Sequence, residues 1–362
     1  MEEIVQYDRS RLIGIGNSSN FRNVLWGMYL YNAFFHLKKL YEIRVHGQIS
    51  TISPADPQPD FGNTMTMRSF RSLLYDHLVA HLDNSTQKNW LDQKLASIEQ
   101  NGLTGSFFLA FSGAPRFLPK GLVPFSESQL ADFAHSVESI HPERWTFAEA
   151  VRILFLLSLP QEDPEQFKAS ILEVFDTADM GEQRALYQSL PVLPHPDQFS
   201  LFAAEGIRTN MTTVLEAIVL DNPYPAQYLN EGAWNQLFLK AAFTDRPIHR
   251  IVEVDRRANA TLARIVSDYA HERWSAGRVV SPELWRVVPP FATEQSIRDA
   301  EALFAKPEKL QQVAAMLICQ ESDLPEAKSL LAQHPKWAEA AEAGDWNWDK
   351  LGQQWENHLQ EA

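Results

Sequence analysis

The chain has 362 residues, of which 45% are hydrophobic, and its formal net charge is -14. This hydrophobic share is enough for a sizeable core and too large for a disordered protein. The acidic balance argues against a nucleic-acid-binding protein, because such a protein needs a basic face. The single cysteine, Cys319, excludes an internal disulfide and fits a reducing, cytoplasmic setting.

Residues 1–65 differ in composition from the rest of the chain and end in a stretch rich in Pro, Asp and Ser that is typical of a linker. Their most apolar run, residues 24–37, contains Asn32 and His36 and is too short to cross a bilayer. We therefore predict an N-terminal extension over residues 1–65, with an apolar helix and a Pro-rich linker, that could be poorly ordered. Residues 66–362 are then an all-helical domain.

The remainder of the chain has the pattern of successive helices, because apolar residues recur at spacings of three and four and no alternating strand pattern is evident. Residues that can cap a helix N-terminus mark the predicted starts. They are Ser69, Ser85, Ser126, Asp163 before Pro164 and Ser281 before Pro282, with Asp197, Asp255 and Asp323 as further candidates. We predict an all-α fold of irregular stacked helical hairpins, similar to HEAT or armadillo domains but without an exact repeat.

Residues 290–362 carry thirteen acids and six bases, a net charge of -7, so half of the total charge lies in about a fifth of the chain. This pattern predicts solvated terminal helices. Trp346, Trp348 and Trp355 lie close together in the same region. Three indole rings this dense seldom all stay exposed, so we predict that they cap the core.

Three patterns could carry chemistry but are better explained without it. The Gly14-Ile15-Gly16 sequence lacks the third glycine and the strand–helix context of a nucleotide-binding loop. His77 and His81 are spaced four apart, which can hold zinc, yet no third ligand is evident, so we interpret them as structural or surface residues. Cys319 lies in an apolar run and is interpreted as a buried hydrophobic residue rather than a nucleophile.

Residues 222–278 contain an unusual density of polar side chains within otherwise apolar helices. On the helix predicted from Arg256 to Ala276, polar residues recur at steps of four and three; they are Arg257, Thr261, Arg264, Asp268 and His271. The favoured interpretation is structural, with a solvated face and local ion pairs such as Arg264–Asp268. Buried Asn and Arg residues would then tie neighbouring helices together.

The competing interpretation of the same residues is a binding groove. Its predicted binding residues are Arg208, Asn210, Asn235, Lys240, Arg257 and Arg264. No catalytic residue is assigned under the first interpretation. If the groove were catalytic, His271 would be the acid or base, oriented by Asp268, and the Arg and Lys residues would hold an anionic group.

Several blocks of the sequence resemble one family, in order. They are FFLAFSGAPRFLPK, RTNMTTVLEAIVLDNPYPAQYLNEGAWNQLFLKAAF, DRRANATLARIVSDYAHERWSAGR and ELWRVV. Together they resemble the EboA family over roughly residues 66–362, and residues 1–65 have no counterpart in it. The resemblance implies a role in metabolite traffic and supplies no catalytic residues.

From this resemblance we expect a non-enzymatic helical scaffold or carrier in the trafficking or export of a secondary-metabolite precursor, with no cofactor and no metal ion. It implies as partners other proteins of the ebo gene cluster, among them a UbiA-like membrane prenyltransferase, and a small aromatic or prenylated metabolite. It also implies a cytoplasmic location or a peripheral one at the inner membrane. The alternative is an enzyme of secondary-metabolite processing, with a polar site around His271, Asp268 and Arg257.

Overall fold

A computed structural model describes residues 63–361, with side chains from Phe70 onward, and its regular elements are helices. In chain order the α-helices are α1 (Asn63–Ala80), α2 (Ser85–Asn101), α3 (Gly105–Gly113), α4 (Glu127–Ser136), α5 (Phe147–Leu156), α6 (Pro164–Thr177), α7 (Met180–Ser189), α8 (Ser200–Gly206), α9 (Thr212–Val219), α10 (Tyr224–Tyr228), α11 (Glu231–Phe243), α12 (Val254–Arg257), α13 (Ala260–Ser275), α14 (Glu294–Phe304), α15 (Lys309–Glu321), α16 (Pro325–Ala332), α17 (Pro335–Glu342) and α18 (Trp348–Glu361).

Short 3-10 helices join several of these elements. They are Ala114–Arg116, Pro142–Arg144, Leu190–Val192, Pro196–Phe199, Ile248–Arg250, Pro282–Val287 and Pro289–Phe291. Residues 63–361 contain no strand, and an isolated bridge joins Leu122 to Thr146. The predicted all-α fold is therefore confirmed, whereas the likeness to HEAT or armadillo domains stays a prediction.

Several helix starts follow the predicted capping rules. Ser126 caps α4 with a capping box, in which the Gln129 side chain accepts from the Ser126 amide at 2.9 Å. Asp163 caps α6, whose first residue is Pro164. Ser281 precedes Pro282 as predicted, but the element that follows is a 3-10 helix.

Other predicted starts were wrong. Ser69 lies inside α1, which begins at Asn63, because the residues between them contain no helix breaker. Asn84 caps α2 in place of Ser85. Asp197 and Asp255 lie within short helical segments, and α16 begins after Leu324 rather than Asp323. The reason at α16 is Pro325, which fixes the first helical position, so that the residue directly before it becomes the cap.

Two helices form the centre of the core. In α5 every residue except Ala148 is buried, and α5 packs against α1 and α7. In α15 the residues from Val313 to Cys319 are all buried, and α15 packs against α14, α16, α17 and α18. A helix that is apolar on all sides must be surrounded, and these two have that pattern. The buried apolar residues form one cluster that runs from Phe70 to Leu351.

The N-terminal predictions fall largely outside the described residues, which exclude 1–62 and the last residue. These predictions include the apolar run 24–37 and the Gly14–Gly16 motif. Because α1 begins at Asn63, the helix crosses the predicted boundary at residue 65, and the division into 1–65 and 66–362 stays a prediction. Within residues 63–361, no helix combines the length and apolarity that a membrane span requires.

Of the three C-terminal tryptophans, Trp348 belongs to the core cluster, Trp346 packs against it, and Trp355 does neither. Trp348 is buried, whereas Trp346 and Trp355 are half-buried. The ring of Trp346 has the ammonium groups of Lys309 and Lys350 each 5.1 Å from its centroid. The two cations hold the ring in place at the edge of the core.

Candidate functional site

Two asparagines join α11 to the start of α13. Asn259 caps α13, its Oδ1 accepting from the Leu262 amide at 2.9 Å. Its Nδ2 donates to Oδ1 of the buried Asn235 at 2.9 Å, and Nδ2 of Asn235 donates back to Oδ1 of Asn259 at 3.3 Å. The predicted binding residue Asn235 is thus half of a reciprocal amide pair that fixes two helices.

Arg257 lies at the end of α12 and binds the end of another helix. Its guanidinium donates to the carbonyl of Ala226 and, at 2.8 Å, to that of Leu229, which are carbonyls that α10 leaves unpaired. The same group lies 4.8 Å from the ring centroid of Trp234. Burial lowers the pKa of Arg257, and the charge of Arg256 lowers it further. These contacts make Arg257 a tie between helices.

Arg264 and Asp268 form the ion pair that their spacing predicts. Nη1 of Arg264 donates to Oδ2 of Asp268 at 3.1 Å, and both side chains are about two-thirds exposed, at 68% and 67%. Such a pair stabilises a helix by only about 0.3–0.5 kcal/mol. Asp268 therefore pairs with Arg264 in the structure, and the role of Asp268 in the catalytic alternative stays a prediction.

The carboxylate beside His271 belongs to Asp299, a buried residue of α14. Nε2 of His271 lies 2.6 Å from Oδ1 of Asp299, while the Ser267 hydroxyl donates to Oδ2 at 2.6 Å. The Gln295 amide donates to Oδ1 at 2.8 Å. Sequence reasoning missed Asp299, although its place on the apolar face of α14 beside Ala300 was an available signal, because a carboxylate there needs partners.

The remaining predicted binding residues have other surroundings. Arg208 is exposed in the turn after α8 and pairs with Glu205 of that helix at 3.0 Å. Asn210 is exposed between α8 and α9, and Lys240 is half-buried on α11. Of the six predicted binding residues, the hydrogen bonds within residues 63–361 bring together only Asn235 and Arg257, through Asn259, whose amide also donates to the Arg257 carbonyl at 3.3 Å.

His77 serves the packing of α1. Its Nε2 lies 2.7 Å from the Pro124 carbonyl, and its ring stacks on Phe125 with centroids 4.0 Å apart. Burial lowers the pKa of His77, and the neighbouring His81 adds to this effect. Among the described residues there is no group of three His, Cys, Asp or Glu side chains placed to hold a metal ion.

A cleft with a volume of about 340 Å³ lies between α3, α6 and the start of α7. Phe111, Val174 and Glu182 are buried in its floor, and Phe108 is half-buried in its wall. Ser112, Glu173 and Thr177 lie exposed at its rim. Most of its lining surface is apolar, although four of the seven lining residues carry a carboxylate or a hydroxyl, and such a mixture suits a small-molecule site.

Glu182 is the unusual residue of this cleft. Its Oε2 accepts from the Asp179 amide at 2.9 Å and completes the capping box of α7. Its Oε1 is buried and has no hydrogen-bond partner among the described residues. The nearest cation, Nη2 of Arg152, lies 3.8 Å away, beyond hydrogen-bond distance. A buried oxygen without a donor costs about 1–3 kcal/mol.

The equivalent glutamate of α5 shows how such a carboxylate is normally satisfied. Glu149 also completes a capping box, and it is as deeply buried as Glu182. Its Oε1 accepts from Nε of Arg184 at 2.7 Å. Arg152 donates through Nε to the carbonyl of Phe111 at 2.9 Å and through Nη1 to that of Gly181 at 3.1 Å. Its Nη2 forms only a longer ion pair with Oε1 of Glu182, at 3.8 Å. Burial lowers the pKa of Arg152, and nearby carboxylates oppose that shift.

The cleft is large enough in volume for a small molecule. Its two carboxylates disfavour an anion. The block FFLAFSGAPRFLPK contains both aromatic residues of the cleft, but its sequence indicates only a buried helix. The spacing of Asp179 and Glu182 predicts a capping box and gives no sign that one oxygen is left free.

Comparison with protein families gives one match. The family model described as "Metabolite traffic protein EboA" matches residues 70–289, a range that includes the whole cleft. The search of curated proteins and the search of solved structures give no match. The matched range covers more than half of the chain, so the chain belongs to the EboA family.

Proposed function

We propose that this EboA-family protein is a non-enzymatic helical carrier or scaffold that binds a small metabolite in the cleft between α3 and α6. The family description supports metabolite traffic as the process. The observation that carries the proposal is the buried Glu182 carboxylate, whose Oε1 has no donor among the described residues, in an otherwise mostly apolar cleft. A ligand N–H or O–H group would satisfy that oxygen once the side chains that cover it move aside.

The polar residues of the catalytic alternative pair with separate partners, which favours a carrier over an enzyme. Arg257 binds helix-end carbonyls, Asp268 pairs with Arg264, and His271 pairs with Asp299. A catalytic site needs its acid, base and binding groups to converge on one reacting atom. The enzymatic alternative predicts that His271→Ala abolishes function in a folded protein, whereas the carrier predicts that this variant still binds its ligand.

The partners and the location belong to the same proposal. We propose that the ligand is a small aromatic or prenylated precursor that the carrier moves towards export. We further propose that the carrier docks on other proteins of the ebo gene cluster, among them a UbiA-like prenyltransferase, from the cytoplasmic side or at the inner membrane. The family description supports the process, and the acidic balance of the chain disfavours nucleic acid as a partner.

Calorimetric titration with two probes tests the cleft. The wild type is expected to bind 2-naphthol about tenfold more tightly than 2-methoxynaphthalene, because only the first can donate to Glu182. Glu182→Gln keeps an oxygen for the Asp179 amide but replaces the free acceptor with a donor. This variant is expected to lose the preference for 2-naphthol. Glu165→Gln, at an exposed position of α6, is the matched control and is expected to keep it.

Two results would refute the proposed site. The first is that neither naphthalene derivative binds the wild type. The second is that Glu182→Gln folds normally and still prefers 2-naphthol by the same factor. Mass spectrometry of small molecules that co-purify with the wild type, but not with Glu182→Gln, would identify the natural ligand.

A further inference from the structure

Apolar side chains are exposed on α3 and just after it, beside the side of the helix that lines the cleft. Leu109 is 78% exposed and Phe117 is 47% exposed. Gly113 lies one turn after Leu109, and the Phe117 ring would be 3.7 Å from a Cβ placed at Gly113. Phe117 also stacks on the half-buried Trp90 of α2, with ring centroids 4.8 Å apart. We call Leu109, Phe117 and Trp90 together the α3 patch.

Cations without acidic partners accompany the α3 patch. Residues 84–124 contain four bases and two acids, a net charge of +2 in a chain whose total is -14. The two acids are already paired, Asp92 with Lys88 and Glu99 with Arg71. Lys94, Arg116 and Lys120 form no ion pair within residues 63–361. Lys94 follows Trp90 by one turn of α2, and Arg116 precedes Phe117 directly.

We propose that the α3 patch docks on an anionic lipid surface. Trp and Phe rings favour the interface between headgroups and acyl chains, and exposed Leu side chains gain free energy by entering it. Lys and Arg beside them are attracted to anionic headgroups. In a chain that anionic lipids would otherwise repel, these cations also set the orientation, because Lys94 and Arg116 lie close in sequence to Trp90 and Phe117 of the α3 patch.

The orientation has a consequence for the cleft, although the docking proposal does not depend on the proposed function. Phe108, Phe111 and Ser112 of α3 line the cleft, while Leu109 and Gly113 face the α3 patch. These two sets lie on adjacent sides of one helix. A protein docked through the α3 patch holds the rim of the cleft close to the lipid surface, where an apolar ligand of the membrane could enter it.

Vesicle co-sedimentation of the full chain tests the docking. Binding is expected with vesicles of phosphatidylcholine and phosphatidylglycerol, to weaken as salt rises, and to be far weaker with phosphatidylcholine alone. Neutralising Lys94, Arg116 or Lys120 as Gln is expected to weaken binding about fivefold each. Leu109→Ser is expected to weaken it about tenfold. The matched control is Leu201→Ser, which removes a leucine that is 83% exposed on α8 and is expected to change nothing.

Several outcomes would overturn the proposal. One is the absence of sedimentation with the anionic vesicles. Another is wild-type binding by Leu109→Ser, which would assign the lipid contact to some other segment, such as residues 24–37. Loss of binding in Leu201→Ser to the same degree would remove the specificity of the surface. Dimerisation in solution that Leu109→Ser abolishes, without vesicle binding, would assign the patch to a second copy of the chain.

Discussion

Among the described residues, some polar side chains have hydrogen-bond partners that join helices, whereas eight buried side-chain atoms, Oε1 of Glu182 among them, have no hydrogen-bond partner. Asn235, Arg257 and Asp299 all have partners that join two helices, so these side chains act as ties. Their polarity was visible in the sequence, and the ion pair Arg264–Asp268 follows from spacing alone. The partner of His271 could not be predicted, because it lies on α14, and only the packing of α13 against α14 brings the two together. For the same reason the free oxygen of Glu182 is visible only in the structure.

Cys319 gives a prediction at the residue scale. Its side chain is buried, and burial raises the pKa of its thiol to about 12. Alkylation requires the thiolate, so native protein at pH 8 is expected to resist iodoacetamide for hours. In denaturant the same cysteine is expected to react within minutes, as measured by intact mass. Rapid labelling of the native protein would mean that α15 opens readily or that the thiol is reachable.

Some features that fix the helices involve neighbouring residues and can be predicted from the sequence. Others are close contacts between residues far apart in the chain and cannot be predicted in this way. The capping boxes of α4 and α5 are predictable from a Ser or Thr followed by Gln or Glu. The packing of α18 at Gly352 is a contact of the second kind. Gly352 faces His249 and the buried Glu283, and Glu283 accepts from the His249 amide at 2.7 Å. The sequence marks Gly352 only as a poor helix former, because its neighbours come from distant parts of the chain.

Substitution of Gly352 tests this packing contact of α18. A Cβ at Gly352 would lie 2.6 Å from the His249 side chain and closer still to the Glu283 carboxylate. Gly352→Ala is therefore expected to reduce the free energy of unfolding by about 1–3 kcal/mol, measured by urea denaturation. In a helix without such neighbours the same change would add about 1 kcal/mol. Gly105→Ala, where the added Cβ has open space, is the control that should not destabilise. A stabilised Gly352→Ala would contradict the packing.

The molecule as a whole is organised around two enclosed helices, α5 and α15. The sequence shows the apolar run around Cys319 that lies in α15, and it predicts the all-α class correctly. It does not predict which helices surround them, because helix packing depends on side-chain ridges and crossing angles that are decided by the whole assembly. The predicted caps Asp197 and Asp255 lie inside short helical segments for a related reason, since tertiary packing overrides weak local signals.

Truncation tests the extent of this unit. Residues 62–362 form one compact unit, and the buried apolar cluster begins at Phe70. A chain that starts at Gly62 is expected to keep its helical circular dichroism and its thermal midpoint within a few degrees. A chain that starts at Leu74 loses Phe70, which is buried against Phe133 with centroids 5.2 Å apart, and is expected to lose about 3–5 kcal/mol. Aggregation of the Gly62 chain would contradict the independence of the unit.

The nine residues of α3 leave little freedom for mutation. Phe107 and Ala110 are buried in the core, Phe108, Phe111 and Ser112 line the cleft, and Leu109 is exposed. A saturation mutant library of this one helix should therefore sort into three phenotypes: cells without the protein, cells with a protein that no longer loads its cargo, and cells with a loaded protein in the wrong place. Mutations confined to these nine residues would then separate effects on folding, on ligand binding and on location.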